Sequence, residues 1–243
     1  MVTDVSEVIG ISLTEASRHF SRLAQLELIA KRVDGTYVLT LLGRTVLLQL
    51  KPLEFTSKHS SYFNTHNMTL IPESFQNRIH ELEDATPNYS KRVNVMRISN
   101  NVGRVASEAE EYVLGLVDEE IMEFVFYAQP DEGTFKLVED ALARDVKYRV
   151  LFPLSFNPDK IRGEAFELQS ESIRAGNFEY RVIGFTDVFL HMSEKEASMI
   201  SFPDENGSYD YLGFEATDAH SLNWCRDVFD YYWARAEPVS LFS

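Results

Sequence analysis

The stretch from Ser12 to Thr40, SLTEASRHFSRLAQLELIAKRVDGTYVLT, changes its hydrophobic period halfway along. Ser12-Leu13-Thr14-Glu15 has the form of a capping box, in which the Ser12 hydroxyl takes a free first-turn amide and Glu15 reaches back. Behind it Leu13, Ala16, Phe20, Leu23 and Leu26 recur at three- and four-residue steps, the stripe of a helix packed on one side. Thr14, Arg18, Ser21, Arg22 and Gln25 then cluster on the opposite face, which is short, polar and cationic. From Leu28 the period falls to two, and Leu28–Val33 and Thr36–Thr40 read as strands. Asp34-Gly35 between them suits a two-residue type I′ turn, where both positions need positive φ. Upstream, Asp4–Ile9 reads as a short helix with Thr3 as its cap and Gly10 in the left-handed position that ends it. Helix, short turn, second helix and hairpin together make a winged helix-turn-helix.

Outward from this module, composition narrows the possibilities. The 243 residues are 44% hydrophobic and 12% aromatic, enough for packed cores in one large or two modest domains. No apolar run reaches the ~18 residues of a spanning helix, and the first residues lack a signal-peptide pattern. The single cysteine, Cys225, excludes an internal disulfide and a cysteine-based zinc site, which fits a cytoplasmic protein away from membranes. The net charge of -15 is unevenly spread, with residues 1–98 at +1 and residues 99–243 at -16. A near-neutral module on an acidic body is the charge layout of a DNA reader with a separate regulatory domain, the acidic part facing away from phosphate.

After the wing, Thr40 can cap a helix carrying Leu41, Leu42, Val46, Leu47 and Leu50, which Pro52 kinks or breaks before the pattern resumes through Phe55, His59, Tyr62 and Phe63. Pro72 opens a further helix, Glu73–Glu83, with Phe75, Ile79 and Leu82 inward, and Asp84–Asn88 reads as a loop. The domains are therefore expected at 1–50 (winged helix), 51–92 (helical connector, with Phe55, Tyr62 and Phe63 open to a partner copy or to intramolecular packing) and 93–243. In the last, a helix bearing Val95, Ile98, Val102, Val105 and Ala109 precedes a continuous apolar run, Tyr112–Val117, typical of a strand buried on both faces. Helix Leu137–Ala143, strand Val146–Phe152, helix Ile161–Ile173 and strand Phe178–Ile183 follow. An antiparallel pair (Phe189–Met192 and Ser198–Phe202), a strand Asp210–Glu215 and a closing helix with Leu222, Cys225, Val228, Phe229 and Tyr232 complete the chain. This alternation predicts an α/β sandwich with a mainly parallel sheet. A winged helix usually has a further helix ahead of its pair, so either the reading frame is truncated or the helix after the wing covers that surface.

Glu15-Ala16-Ser17-Arg18-His19-Phe20, Leu23, Asp34–Thr40 and Gly43 resemble the DNA-binding half of archaeal ArsR-like winged-helix regulators. Tyr62–His66 with Ile71-Pro72, Phe75, Arg78, Ile79 and Leu82 is similar to the connector of methanogenesis-regulator-type transcription factors. Ala109–Val113 and Asp145–Pro153 resemble the first two strands of the degenerate phospholipase D-like domain of TrmB-type regulators. The resemblance implies a homodimeric transcription factor whose C-terminal domain senses a small effector or mediates assembly; it names no ligand.

On this reading Arg18 contacts a base edge, since its fork pairs with guanine O6 and N7 for about 1–3 kcal/mol. Thr14, Ser17, Ser21 and Arg22 contact phosphates or neighbouring bases, and Lys31, Arg32, Thr36 and Tyr37 hold the wing on double-stranded DNA. An effector in the C-terminal domain would couple to binding by about 1–3 kcal/mol. Asp118, Arg149, Tyr180 and His191 are candidate pocket residues, although an acidic loop and a polar sheet surface explain them as simply. No metal or other cofactor is expected: His59, His66 and His80 lack ligand spacing. Nor is an enzyme expected, because a phospholipase D-like site needs His-x-Lys, whereas Lys195 stands four residues after His191 and no second motif exists. Two other classes stay open, a winged-helix adaptor that binds protein and a residual phosphodiesterase.

Overall fold

The computed structural model describes residues 1–89, 95–127, 132–161, 163–184 and 187–239. The chain divides into two compact units, Met1–Ser57 and Lys58–Ser243; the expected boundary at 92/93 lies outside the described residues.

In the first unit α1 (Val2–Ile9) ends at Gly10, whose φ of 69° is the left-handed cap expected of it. Helix α2 (Leu13–Gln25) starts at Ser12, whose hydroxyl accepts from the Glu15 amide at 3.2 Å. Strands β1 (Ile29–Lys31) and β2 (Tyr37–Leu39) pair antiparallel. The wing turn differs from expectation. Gly35 has φ 85° but Asp34 is not in the positive region. The Gly35 amide bonds the Arg32 carbonyl at 3.0 Å, and the Arg32 amide bonds the Thr36 carbonyl at 2.7 Å. This is a three-residue loop with glycine at its left-handed position rather than a type I′ pair. Only one residue with positive φ is then needed, and Asp34 is freed to cap Thr36.

Thr40 opens α3 (Leu41–Lys58), donating its hydroxyl to the Glu27 carbonyl at 2.6 Å and accepting from the Gly43 amide at 2.9 Å. A Cβ on Gly43 would lie 1.9 Å from the Leu28 carbonyl oxygen, so only glycine lets α3 cross the end of β1 this closely. Pro52 lies within α3, and the helix continues past it to Lys58.

The second unit begins with short turns, α4 (Ser60–Phe63) and α5 (Glu73–Gln76), and a 3-10 turn Ile79–Leu82. The single helix expected over Glu73–Glu83 is thus broken, with Arg78 in the bridge conformation at φ -106°, ψ 6°. The loop expected at Asp84–Asn88 contains a strand, β3 (Thr86–Asn88). Then follow α6 (Val95–Glu108), β4 (Tyr112–Leu116), α7 (Glu119–Ile121), α8 (Glu132–Ala143), β5 (Lys147–Pro153), α9 (Gly163–Arg174) and β6 (Phe178–Ile183). The chain closes with β7 (Phe189–Ser193), β8 (Ala197–Ser201), β9 (Gly213–Ala216), α10 (Ala219–Trp233) and β10 (Glu237–Pro238).

The described strands of this unit form one sheet in the order β10-β6-β5-β4-β7-β8-β9-β3. Only β4–β5 and β5–β6 are parallel. The pairs β10–β6, β4–β7, β7–β8, β8–β9 and β9–β3 are antiparallel, which corrects the expected mainly parallel sheet. Crossover helices α8 and α9 serve only the parallel pairs, whereas the Glu194–Glu196 turn joins β7 to β8 and is far too short for a crossover.

Alternate side chains of the central strands face two helical layers. Val113, Tyr148, Val150, Phe178, Phe189 and Met199 share a core with Ile98 and Val105 of α6 and Ala141 and Leu142 of α8. On the other face Leu116, Leu151, Leu190 and Ile200 are buried beneath α10, whose Trp224, Cys225, Val228 and Phe229 are also buried. Residues after Lys58 complete that layer. Trp224 Nε1 donates to the Phe75 carbonyl at 3.3 Å, and Arg78 bridges Glu81 and Asp227. Tyr62 is the anchor: its hydroxyl donates to the Leu212 carbonyl at 2.9 Å and accepts from the Phe202 amide at 3.0 Å. Its ring stacks on His66 at 3.9 Å and meets Phe214 edge-on at 5.3 Å. Tyr62 and Phe63, aromatic residues open to a partner copy on the sequence reading, are therefore engaged within the chain.

Tyr62→Phe removes the one group serving both Leu212 and Phe202 and should lower stability by about 1–3 kcal/mol, since a buried polar group left unpaired costs that much. Urea denaturation checks this, and an unchanged midpoint would mean the two backbone groups find other partners.

Candidate functional site

Helix α2 turns its polar face outward: Thr14, Ser17, Arg18, Ser21, Arg22 and Gln25 are all exposed. Among the described residues neither Arg18 nor Arg22 forms an ion pair, so both guanidinium groups remain available for an external anion. Ser21 is tied to its own helix, donating to the Ser17 carbonyl at 3.0 Å. A groove between α2 and the wing brings Ser17 and Ser21 beside Lys31, Gly35 and Tyr37. Val2 and Thr3 of α1 also line it, which no local motif signalled.

The wing residues divide into reachers and supports. Lys31 and Arg32 are exposed, with the Lys31 ammonium 5.9 Å from the Tyr37 ring centroid. Tyr37 is half-buried, its ring edge-on to Phe20 at 4.8 Å, so it pins the wing to α2. Thr36 donates its hydroxyl and amide to the Asp34 carboxylate at 2.6 and 2.9 Å. The hydroxyl bond first, then the amide, holds Asp34 below the usual carboxylate range. Thr36 thus shapes the turn.

The four candidate pocket residues of the second unit do not form one site. Asp118 caps α7 through the Ile121 amide at 3.1 Å and accepts from the Tyr211 hydroxyl at 2.9 Å. Burial pushes its pKa up, overriding those hydrogen bonds. Arg149 lies 5.7 Å from the Trp233 ring on the α10 side. Tyr180 occupies the opposite face among Phe152, Phe156 and Phe178. His191 is buried on that face too, its Nδ1 3.0 Å from Ser198 Oγ. Of the four, His191 alone lines the apolar cavity of about 110 Å³ between the sheet and α6, α8 and α9. Lys195 is exposed in the β7–β8 turn, 2.5 Å from the Glu110 carboxylate, while His191 lies in the sheet interior. His59 meets the Tyr89 hydroxyl at 2.7 Å and His66 meets Asp210 at 3.1 Å; among the described residues no His, Cys, Asp or Glu group has the form of a metal site.

No protein-family model matches this sequence. No curated protein sequence matches it either. Among solved structures, the chain is similar to TrmBL2, described as an archaeal chromatin protein with a novel mode of DNA binding. That match has 13% identity and a TM-score of 0.45, over 95% of this chain and 84% of that one. It is also similar to Nuc from Salmonella typhimurium, a phospholipase D family member. There the identity is 11% and the TM-score 0.37, over 64% of this chain and 97% of that one.

Burial, and then the positive charge of Arg104, lowers the His191 pKa to about 4, so the imidazole is neutral in the folded chain. The unfolded chain takes up that proton once the pH drops below about 6.5, while the folded chain resists until about 4. Stability should therefore fall across this window by roughly 3 kcal/mol more in the parent than in His191→Gln. Thermal melts from pH 7 to pH 4 test it, and equal acid sensitivity would show that His191 titrates normally in the fold.

Proposed function

We propose that this chain is a DNA-binding transcription regulator acting as a homodimer, with the second unit as its effector-responsive body. The observation that carries this is the pair Arg18 and Arg22, exposed on a helix face beside a wing that offers Lys31 and Arg32. Two α2 helices would enter successive major grooves, with Arg18 at a base edge and the wings on flanking phosphates. One copy carries few cations, and two half-sites would double its phosphate contacts.

The dimer reading is supported by α3. Leu41, Leu47, Leu48 and Leu53 are each more than half exposed, and Leu42 and Leu50 nearly so. So much uncovered leucine on one helix is what a self-associating surface leaves open in a single copy. The same kind of observation favours a second reading, a protein-binding adaptor, because Val8, Ile9, Leu13 and Leu26 are exposed as well. A stoichiometric protein partner that survives nuclease treatment, with no DNA binding, would establish that reading instead.

Fluorescence anisotropy against upstream DNA at several salt concentrations distinguishes the assigned roles. Arg18→Ala should remove sequence preference at a cost of about 1–3 kcal/mol, whereas Arg32→Ala should weaken all sequences alike and lower the salt slope by about one. Parent protein without preference, or identical losses in both variants, would sink the assignment. Light scattering provides the check on assembly: Leu48→Glu should give a monomer where the parent gives a dimer.

A further inference from the structure

The cavity beneath α6 and α8 is enclosed by the apolar face of the sheet, and its volume is about 110 Å³. Protein cores hold few voids larger than one water, and a dry apolar cavity of ~150 Å³ is known to take benzene or xenon. A space of this size in the middle of a β-sheet layer is therefore a feature to account for.

Its cause is Gly115. In β4 it stands between Val150 of β5 and His191 of β7, at the centre of the face that α6 and α8 cover. The neighbouring strand residues that line the cavity, Val113, Tyr148, Val150, Phe178 and Phe189, all carry bulk, and glycine leaves the room unfilled. The nearest atoms a Cβ there would meet belong to Val150 and Val117, at 3.6 to 3.8 Å, which is ordinary contact. The backbone thus does not demand glycine at this position, and its φ is not in the left-handed region. Glycine weakens a strand interior and marks places where a ligand comes close.

The lining fixes the chemistry. Among the described residues no charged side chain lines the cavity; Val113, Val150, Leu142, Phe189 and Met199 supply most of it. Three polar side chains border it, Thr134, Tyr148 and His191. The Thr134 hydroxyl already meets Ser99 at 2.9 Å, and His191 Nδ1 already meets Ser198. The Tyr148 hydroxyl is buried with no hydrogen-bond partner among the described residues. Two polar atoms, the Tyr148 hydroxyl and His191 Nε2, are thus left without a hydrogen bond among the described residues, too few for a polyol, a phosphate or a nucleotide.

We propose that this cavity is a ligand site for a compact apolar molecule, a single aromatic ring or short branched hydrocarbon carrying at most two polar atoms. The inference rests on the reading of the second unit as an effector-responsive body and supplies the effector's chemical class. Its test leaves DNA out, so failure of DNA binding and failure of this site are separately visible.

Full-length protein is melted with millimolar toluene, indole or glucose, and methyl-labelled protein is titrated with toluene by NMR. Toluene or indole should raise Tm by roughly 2–4 °C and saturably shift the methyl signals of Val113, Val150 and Met199, while glucose does neither. Gly115→Val, which fills the space with a side chain suited to a strand, should abolish the response. The proposal is overturned if the parent shows no saturable shift at those methyls, if glucose matches the aromatics, or if Gly115→Val responds like the parent. Should that variant not fold, the localised shifts in the parent decide alone.

Discussion

Strands that are buried on both faces have no side to offer to water, and the second unit is built to meet that demand. Every residue of β7 and β8 is buried, as are four of the five in β4. Helices must then cover the sheet twice. Helices α6, α8 and α9 cover one face, but α10 alone does not close the other, and the chain between Lys58 and Asn88 is drawn in to finish it. Tyr62 shows how firmly: a single hydroxyl joins that segment to Leu212 and Phe202, and the ring lies against His66 and Phe214. A segment packed this way cannot simultaneously present Tyr62 to another molecule.

The first unit lives under the opposite condition. Ser6, Ala16, Gly43 and Phe55 are its only fully buried residues, while leucines along α3 stay open. What order it has comes from local geometry: the left-handed Gly10, the Ser12 and Thr40 caps, and the backbone contact that Gly43 permits over Leu28. Apolar surface of this extent is unfavourable in water, so covering it would stabilise the module directly. Whatever buries α3 would also steady the helix that carries Arg18, because α3 crosses the end of β1 at Gly43.

Local signals were legible in the residues, and long-range pairing was not. The Ser12 and Thr40 caps, the stop at Gly10 and the outward face of α2 follow from spacing within a few residues, and the structure repeats them. Thr3, by contrast, is no cap, because α1 already begins at Val2. The sheet's direction went astray for a definable reason. A continuous apolar run usually marks a parallel strand, because crossover helices are what cover both faces. Here β7 and β8 are buried along their whole length yet connect by the short Glu194–Glu196 turn, and the second cover comes from α10 and the segment after Lys58. Nothing in Phe189–Ser201 itself distinguishes the two cases. The wing turn failed at a finer scale, since Asp34-Gly35 fits both a two-residue and a three-residue loop, and the Asp34–Thr36 bonds settle it.

The candidate sites divide along the same line. Arg18 and Arg22 could be read from periodicity, because a helix facing water on one side sets its own geometry. Asp118, Arg149, Tyr180 and His191 could not be joined correctly, because alternation along β5 and β6 sends Arg149 to one face and Tyr180 to the other. Polar residues attract notice as ligand candidates, yet here Asp118 is taken up by a cap, Arg149 by a ring and His191 Nδ1 by a neighbouring hydroxyl, while the buried Tyr180 hydroxyl has no partner among the described residues. The residue that opens space is Gly115, which has no side chain to notice, and its meaning emerges only when Val150 and His191 are placed beside it. In a sheet covered on both faces, the place to look for a binding site is where bulk is missing.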